Sequence, residues 1–313
     1  MHFQAMTRLT HSNGGFIRSL QMSSARVFAF VEGRLDRPFF DRLLAQACKS
    51  TAIGYRVFAM KELPGGTGGK SSLISTFQSF RQGRLLACTA FGKSMTCIFL
   101  ADKDSDDFTR KQLRSPHLLY SPTYDLEGHL FSCGDLTRAL ADASGITTEQ
   151  AKALVPDSNA WLQSAAIHWK DWIALCLVSQ SRRVNCGCTY DRTSQVNPDP
   201  LAPPDATQVA AFKSRLASIL AISQNELESE FVKASRRVDR SISNGQPLRF
   251  FKGKWLSHLI QRHLEGKPRI PDALISGIGE RIGISLLAQV ALHTNCTCCA
   301  PYLPRMQRLI AKV

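Results

Sequence analysis

The sequence predicts an α/β fold: a parallel sheet flanked by helices, followed by a mainly helical domain. Three observations carry this reading. Short runs rich in aromatic and β-branched residues recur at RVFAFV (26–31), GYRVFAM (54–60) and SMTCIFLAD (94–102). Helical patterns separate them, and from about residue 132 strand-like alternation stops. Strand, helix, strand, helix, strand with short connections is the order that right-handed crossovers turn into a parallel sheet covered by helices.

Taken in order, residues 1–25 read as a polar leader, with no apolar core long enough for a secretory signal. The first strand ends at Glu32-Gly33. RPFFDRLLAQACKS then places Phe39, Phe40, Leu43, Leu44 and Ala47 at helical spacing, with Pro38 suited to a first turn. GYRVFAM leads through a glycine-rich loop, LPGGTGGK, into the helix SSLISTFQSF. SMTCIFLAD is apolar up to its acidic end, and HLLYSPTYDLE (117–127) reads as a fourth extended piece. The α/β part thus spans 26–131. Residues 132–313 read as mainly helical, with the Pro-rich VNPDPLAPPD (196–205) as a connection between helices.

The chain carries 39 Lys and Arg against 25 Asp and Glu, a net charge of +14. That field attracts polyanions, of which nucleic acid is the commonest large one, although a basic surface also serves solubility alone. No stretch reaches the roughly 18 apolar residues a bilayer span needs, so cytoplasm is the expected location and no membrane role is expected.

Against this basic background stand the acids at the strand ends: Glu32 and Asp36, Asp102 and Asp104, and Asp125 and Glu127. In parallel sheets chemistry collects at the carboxyl ends of the strands. A hard divalent cation takes oxygen ligands and keeps several waters, so a few carboxylates suffice. One or two such ions supply both the nucleophilic water and the stabilised leaving oxygen of phosphodiester cleavage. A single acidic strand end is commonplace as a solvated turn; three in this order are not. Asp106 and Asp107, just beyond, read as solvated loop.

FVEGRLD, GGK, LADKDSD and TYDLEGHLF together resemble the TOPRIM fold of topoisomerases, primases and OLD-family nucleases. Their order looks most like the AriB-type effectors of the PARIS antiphage defence system. The resemblance covers about 26–131 and continues weakly into RFFKGKWLSHLI (249–260), so that 246–260 is expected to return to the active site. It implies that Glu32, Asp102 and Asp104 bind Mg²⁺ or Mn²⁺, that Asp36 matches an acid carried by nuclease members, and that Asp125 and Glu127 match a third block, without deciding which one ligates. Asp36 and Glu127 would complete a second ion or orient water, with Lys254 or Lys70 opposite the phosphate. It further implies a homodimeric defence toxin that cleaves host RNA such as tRNA under the control of an ABC-type ATPase partner. The alternatives are a DNA-cleaving OLD-like nuclease, a primase-like subunit, and a non-catalytic nucleic-acid-binding or regulatory protein.

Other signals are weaker. PGGTGGKS (64–71) fails as a P-loop because Pro64 stands where Gly is required. Its Lys70 either faces the acidic site or the phosphate backbone, or belongs to a plain turn before a helix. In RFFKGKWLSHLIQRHLEGKPR, Arg249, Lys252 and Lys254 suit phosphate contacts, while Phe250, Phe251 and Trp255 read as core rather than as stacking platforms. Arg236, Arg237 and Arg240 mark a helical face that is either solvated or binds nucleic acid. His129 reads as a core histidine. Cys48, Cys88, Cys97, Cys133 and Cys176 read as ordinary buried thiols. Cys186, Cys188, Cys296, Cys298 and Cys299 offer a zinc site if the chain joins the two clusters, but C-x-C is tighter than two ligands on one ion usually allow, and reduced thiols are preferred.

Overall fold

The structure, a computed structural model, describes residues 12–34, 36–184, 196–265, 267, 272–292 and 299–313. In chain order its elements are α1 (Asn13–Met22), β1 (Val27–Val31), α2 (Asp36–Cys48), β2 (Tyr55–Ala59), α3 (Gly69–Gln82), β3 (Ala87–Ala90), β4 (Lys93–Ala101), β5 (Leu118–Tyr120), α4 (Leu126–Cys133), α5 (Leu136–Ser144), α6 (Thr148–Leu154), α7 (Ser158–His168), α8 (Lys170–Arg182), α9 (Ala206–Leu220), α10 (Gln224–Ser243), α11 (Gly253–Leu264), α12 (Asp272–Ile275), α13 (Ile278–Leu292) and α14 (Leu303–Ile310). They group into two units. The first takes the described residues up to Ala101, Arg114–Tyr120 and Cys299–Val313; the second takes Asp102–Leu113 and the described residues from Ser121 onward to the second-unit end before Cys299.

In the first unit β2, β1, β4 and β5 run parallel, as the sequence predicts, with Val31 paired to both Ala59 and Leu100. β4 pairs along one edge with β1, and along the other first with the antiparallel β3 and then with β5. β3 was not expected from sequence, because its residues alternate between exposed and half-buried without an apolar face. β5 is only three residues long; Pro122, which cannot donate to a ladder, closes the extended piece soon after Tyr120. Residues 13–22, expected in a polar leader, form α1. Ser12 caps it by accepting from the Gly15 amide, and Leu20 is buried.

Aromatic side chains fill this unit. Phe30 of β1 stacks on Phe58 (5.8 Å) and Phe99 (4.7 Å), and Phe77 and Phe80 of α3 meet Phe99 edge-on at 5.4 and 5.7 Å. Phe39 and Phe40 of α2 pack against Tyr302, the residue before α14, at 5.8 and 5.4 Å. Between β2 and α3 the glycine-rich loop turns back on itself. A Cβ on Gly66 would lie 1.9 Å from the Met60 carbonyl oxygen, so only glycine fits there. The Gly69 amide then donates to the Glu32 carbonyl at 3.2 Å, which ties the start of α3 to the end of β1.

The second unit is mainly helical. α8 is buried along most of its length, with Trp172 edge-on to Phe212 of α9 at 5.2 Å. Gln289 of α13 accepts from the Asp135 amide at 2.8 Å and donates to the Asp135 carbonyl at 3.0 Å, fixing α13 beside α5. Residues 102–113 and 121–131, read from sequence with the α/β part, group with these helices. No helix among the described residues is long and apolar enough to cross a membrane.

Candidate functional site

The sequence-predicted residues divide between the units. In the first, Glu32 follows β1 and is half-buried. The Asp36 carboxylate accepts from the Gly33 amide at 2.8 Å, so it fixes the turn that follows Glu32. Lys70, in the first turn of α3, lies with its ammonium 5.6 Å from the Tyr120 ring centroid.

In the second unit, Asp102 and Asp104 are drawn together with Asp125 and Glu127 around the start of α4. The Asp102 carboxylate accepts from the Leu126 amide at 3.0 Å. Asp104 sits at φ +48°, an uncommon conformation for a side chain other than glycine's, and its amide donates to the Tyr124 carbonyl at 2.6 Å. Between them the Lys103 amide donates to the Ser121 hydroxyl at 2.9 Å, and that hydroxyl donates onward to the Thr123 carbonyl. These bonds knit the loop after β4 to the segment before α4.

Asp125 is the hinge of the arrangement. It caps α4, its Oδ1 accepting from the Gly128 amide at 2.8 Å, and the same carboxylate accepts from the Gly253 amide at 3.0 and 2.9 Å. One side chain therefore receives the amino ends of two helices, α4 and α11, where the backbone dipoles favour negative charge. Only 3% of Asp125 is exposed. Burial pushes its carboxyl up to about 7, Glu127 repels the charge further, the Gly128 and Gly253 amides pull the other way, and Asp104 adds a smaller repulsion. Burial, then Asp104 and Asp125, likewise push the Tyr124 phenol up. Glu127 lies in the first turn of α4, with the exposed Lys254 of α11 at 4.0 Å. The segment 248–254 thus meets 122–128 at several points, including a 3.0 Å bond from the Tyr124 amide to the Leu248 carbonyl.

Asp107 corrects the reading of its loop as solvated. Its side chain is 8% exposed and forms an ion pair with Arg249; Arg237 also approaches the carboxylate, at 3.8 Å. A sequence offers no sign of such a pair, because Asp107 and Arg249 lie 142 positions apart. The importance of Gly253 was equally hidden. The G-K segment was visible, but not that its glycine lies against Gly128. Phe250 and Phe251 are buried and Trp255 packs on Phe251 at 5.2 Å, as expected of core residues. His129 is also buried.

Arg236, Arg237 and Arg240 are exposed on α10, and Lys252 is half-buried at the residue before α11. Cys299 is buried, whereas Cys186, Cys188, Cys296 and Cys298 lie outside the described residues. Cys133, expected as a plain thiol, is disulfide-bonded.

Among the described residues no three Asp, Glu, His or Cys side chains converge closely enough to hold a metal ion by themselves. The donor chemistry nevertheless suits a hard cation. Asp102, Asp104 and Glu127 are half-buried carboxylates in one unit, and Mg²⁺ is commonly held by one or two carboxylates with water and substrate oxygens completing its shell. Asp125, with both oxygens taken by backbone amides, suits a positioning role. No family model matches this chain, and no curated protein matches it.

Proposed function

We propose that the chain is a divalent-metal-dependent nuclease of TOPRIM type. The observation that carries the reading is the gathering of Asp102, Asp104, Asp125 and Glu127 at the start of α4, beside Lys254, in a protein of net charge +14. Asp102, Asp104 and Glu127 would hold Mg²⁺ or Mn²⁺; for Glu32 a metal-binding role is what the resemblance implies. When bound, such an ion supplies an acidified water and charge for the leaving oxygen of a phosphodiester. Asp125 holds α4 and α11 in register, so that Glu127 and Lys254 are presented together. Lys254 offers an exposed ammonium to the phosphate, Asp36 shapes the turn after Glu32, and the exposed Arg236, Arg237 and Arg240 attract the polyanion.

The biological reading follows from the resemblance: a cytoplasmic, homodimeric effector of antiphage defence, cutting host RNA such as tRNA and restrained by an ABC-type ATPase. The test is incubation of the chain, alone and with such a partner, with labelled tRNA, single-stranded RNA and plasmid DNA in Mg²⁺, Mn²⁺ or EDTA. Cleavage that needs metal and is lost in Glu32→Ala and Asp102→Ala is expected. Binding without cutting, unchanged by either substitution, would overturn it. That outcome would favour the second reading, a non-catalytic nucleic-acid-binding protein, which draws support from the structural use of Asp125 as a double helix cap.

A further inference from the structure

Beyond the acidic group, the loop Asp102–Leu113 carries a second feature of the same unit. Arg249 donates through Nη1 to the Pro122 carbonyl at 3.2 Å and through Nη2 to the Asp107 carboxylate. Lys103 donates to the same Pro122 carbonyl. Arg237 donates to the Asp107 carbonyl at 3.3 Å, with its Nη2 3.8 Å from the carboxylate. Both guanidinium groups lie over the Phe250 ring, at 5.8 and 6.0 Å from its centroid, and Arg237 also lies 5.6 Å from that of Phe108.

Two guanidinium groups thus meet one carboxylate, and the Lys103 ammonium shares the Pro122 carbonyl with one of them. The match is incomplete. Asp107 Oδ1 is buried and finds no hydrogen-bond partner among the described residues, whereas a buried ion pair kept for stability ordinarily satisfies its oxygens. Arg237 is 48% exposed, so the group opens to solvent on the α10 face. A phosphate, with more oxygens spread tetrahedrally, answers several N–H donors better than one planar carboxylate does.

We propose that Lys103, Arg237 and Arg249 form a phosphate pocket for single-stranded RNA in which Asp107 is lodged as an internal stand-in, to be displaced when the polynucleotide binds. This rests on the reading of the chain as a protein that acts on nucleic acid, and it adds a self-occupied binding site to that reading.

The test is binding of fluorescein-labelled single-stranded RNA in EDTA, where cleavage cannot intervene. Asp107→Asn should bind at least about tenfold tighter, since occupation of a site lowers apparent affinity by the fraction of molecules that are open. Its plot of log K against log salt should steepen by about 0.7 for each phosphate gained. Asp171→Asn, an equal charge change at an exposed position in the first turn of α8, should give neither effect. Arg249→Gln in the Asp107→Asn background should remove the gain. Equal gains from Asp107→Asn and Asp171→Asn, or a gain that survives Arg249→Gln, would overturn the pocket. Loss of the gain to inorganic phosphate at the same concentration as the RNA phosphates would overturn the polynucleotide as its ligand.

The wild-type chain provides a measurement that does not depend on a variant folding. RNA should protect Arg237 from phenylglyoxal while leaving the exposed Arg215 of α9 reactive; equal reactivity of Arg237 with and without RNA overturns the proposal. A chain that behaves as expected here but never cuts in Mg²⁺ sinks the nuclease reading alone. One that cuts while Asp107→Asn gains nothing sinks the pocket alone.

Discussion

The Asp125 carboxylate and the Gly253 amide, 128 residues apart in sequence, are joined by hydrogen bonds of 3.0 and 2.9 Å. The bond is made where the backbones of α4 and α11 touch. A Cβ built on Gly253 would lie 2.0 Å from the Gly128 nitrogen and 2.3 Å from Asp125 Oδ1, both held in place by the cap. Gly253→Ala therefore has to part the two helix starts. Overpacking typically costs about 1–3 kcal/mol, and this contact is expected at the upper end because a buried hydrogen bond goes with it. Denaturant titration reads the loss. A midpoint equal to the wild type's would show that the two helices do not meet through this glycine.

Asp125 also sets a pH dependence whose sign is fixed. Its ordinary value is 3.8, and in the folded chain it is raised to about 7. Between those values the folded state holds a proton that the unfolded state has lost. The favourable contribution is thus complete below about pH 4 and is lost as pH rises through about 7. Asp125→Asn keeps an oxygen for the Gly128 amide and cannot titrate. Its stability relative to wild type should therefore rise between pH 5 and pH 8, by more than about 1 kcal/mol, the equivalent of one unit of pKa. The measurement is denaturant unfolding in EDTA at both values. A difference that does not move with pH would mean that the carboxylate is already ionised throughout this range.

Why these relations escaped the sequence is a matter of range. β1, α2, β2, α3 and β4 were legible because each is a local pattern: Phe28 and Phe30 on a strand, or Phe39, Leu43 and Ala47 on a helix. The acids at the strand ends were legible for the same reason. β3 was not, because an edge strand with no buried face leaves no alternation to read. α1 was missed because a Ser cap and one buried leucine were outweighed by its polar surroundings. Nothing local marks Asp107 as ionic or Gly253 as a contact point, since both properties come from partners more than a hundred residues away.

The first unit has a long-range closure of its own. Tyr302 is 1% exposed and packs edge-on against Phe39 and Phe40, so residues after Cys299 complete the core that α2 begins. Truncating a buried aromatic to alanine usually costs about 3–5 kcal/mol, and Tyr302→Ala is expected within that range. Hydrogen exchange should show the loss as faster exchange in α2. Unchanged protection of α2 amides would separate the chain's end from this core.

Lys254 and Glu127 make opposite predictions, although they lie 4.0 Å apart. Lys254 is exposed and Glu127 only half-buried, so the pair's own contribution to stability is small and neither substitution should unfold the chain. Glu127 would contribute an oxygen to the cation. Glu127→Gln should therefore weaken Mn²⁺ binding, read by the electron paramagnetic resonance of free Mn²⁺, and cleavage should fall with it. Lys254 repels a cation and attracts a phosphate. Lys254→Ala should leave Mn²⁺ binding intact or slightly tighter, yet slow RNA cleavage by about 10²–10³-fold, the usual loss when one group that stabilises developing negative charge is removed. The split between binding and turnover distinguishes these roles from a shared structural one, which would move both readouts together. If Lys254→Ala cuts as fast as wild type while Glu127→Gln is inactive, the ammonium is a surface charge and the phosphate is met elsewhere in the site.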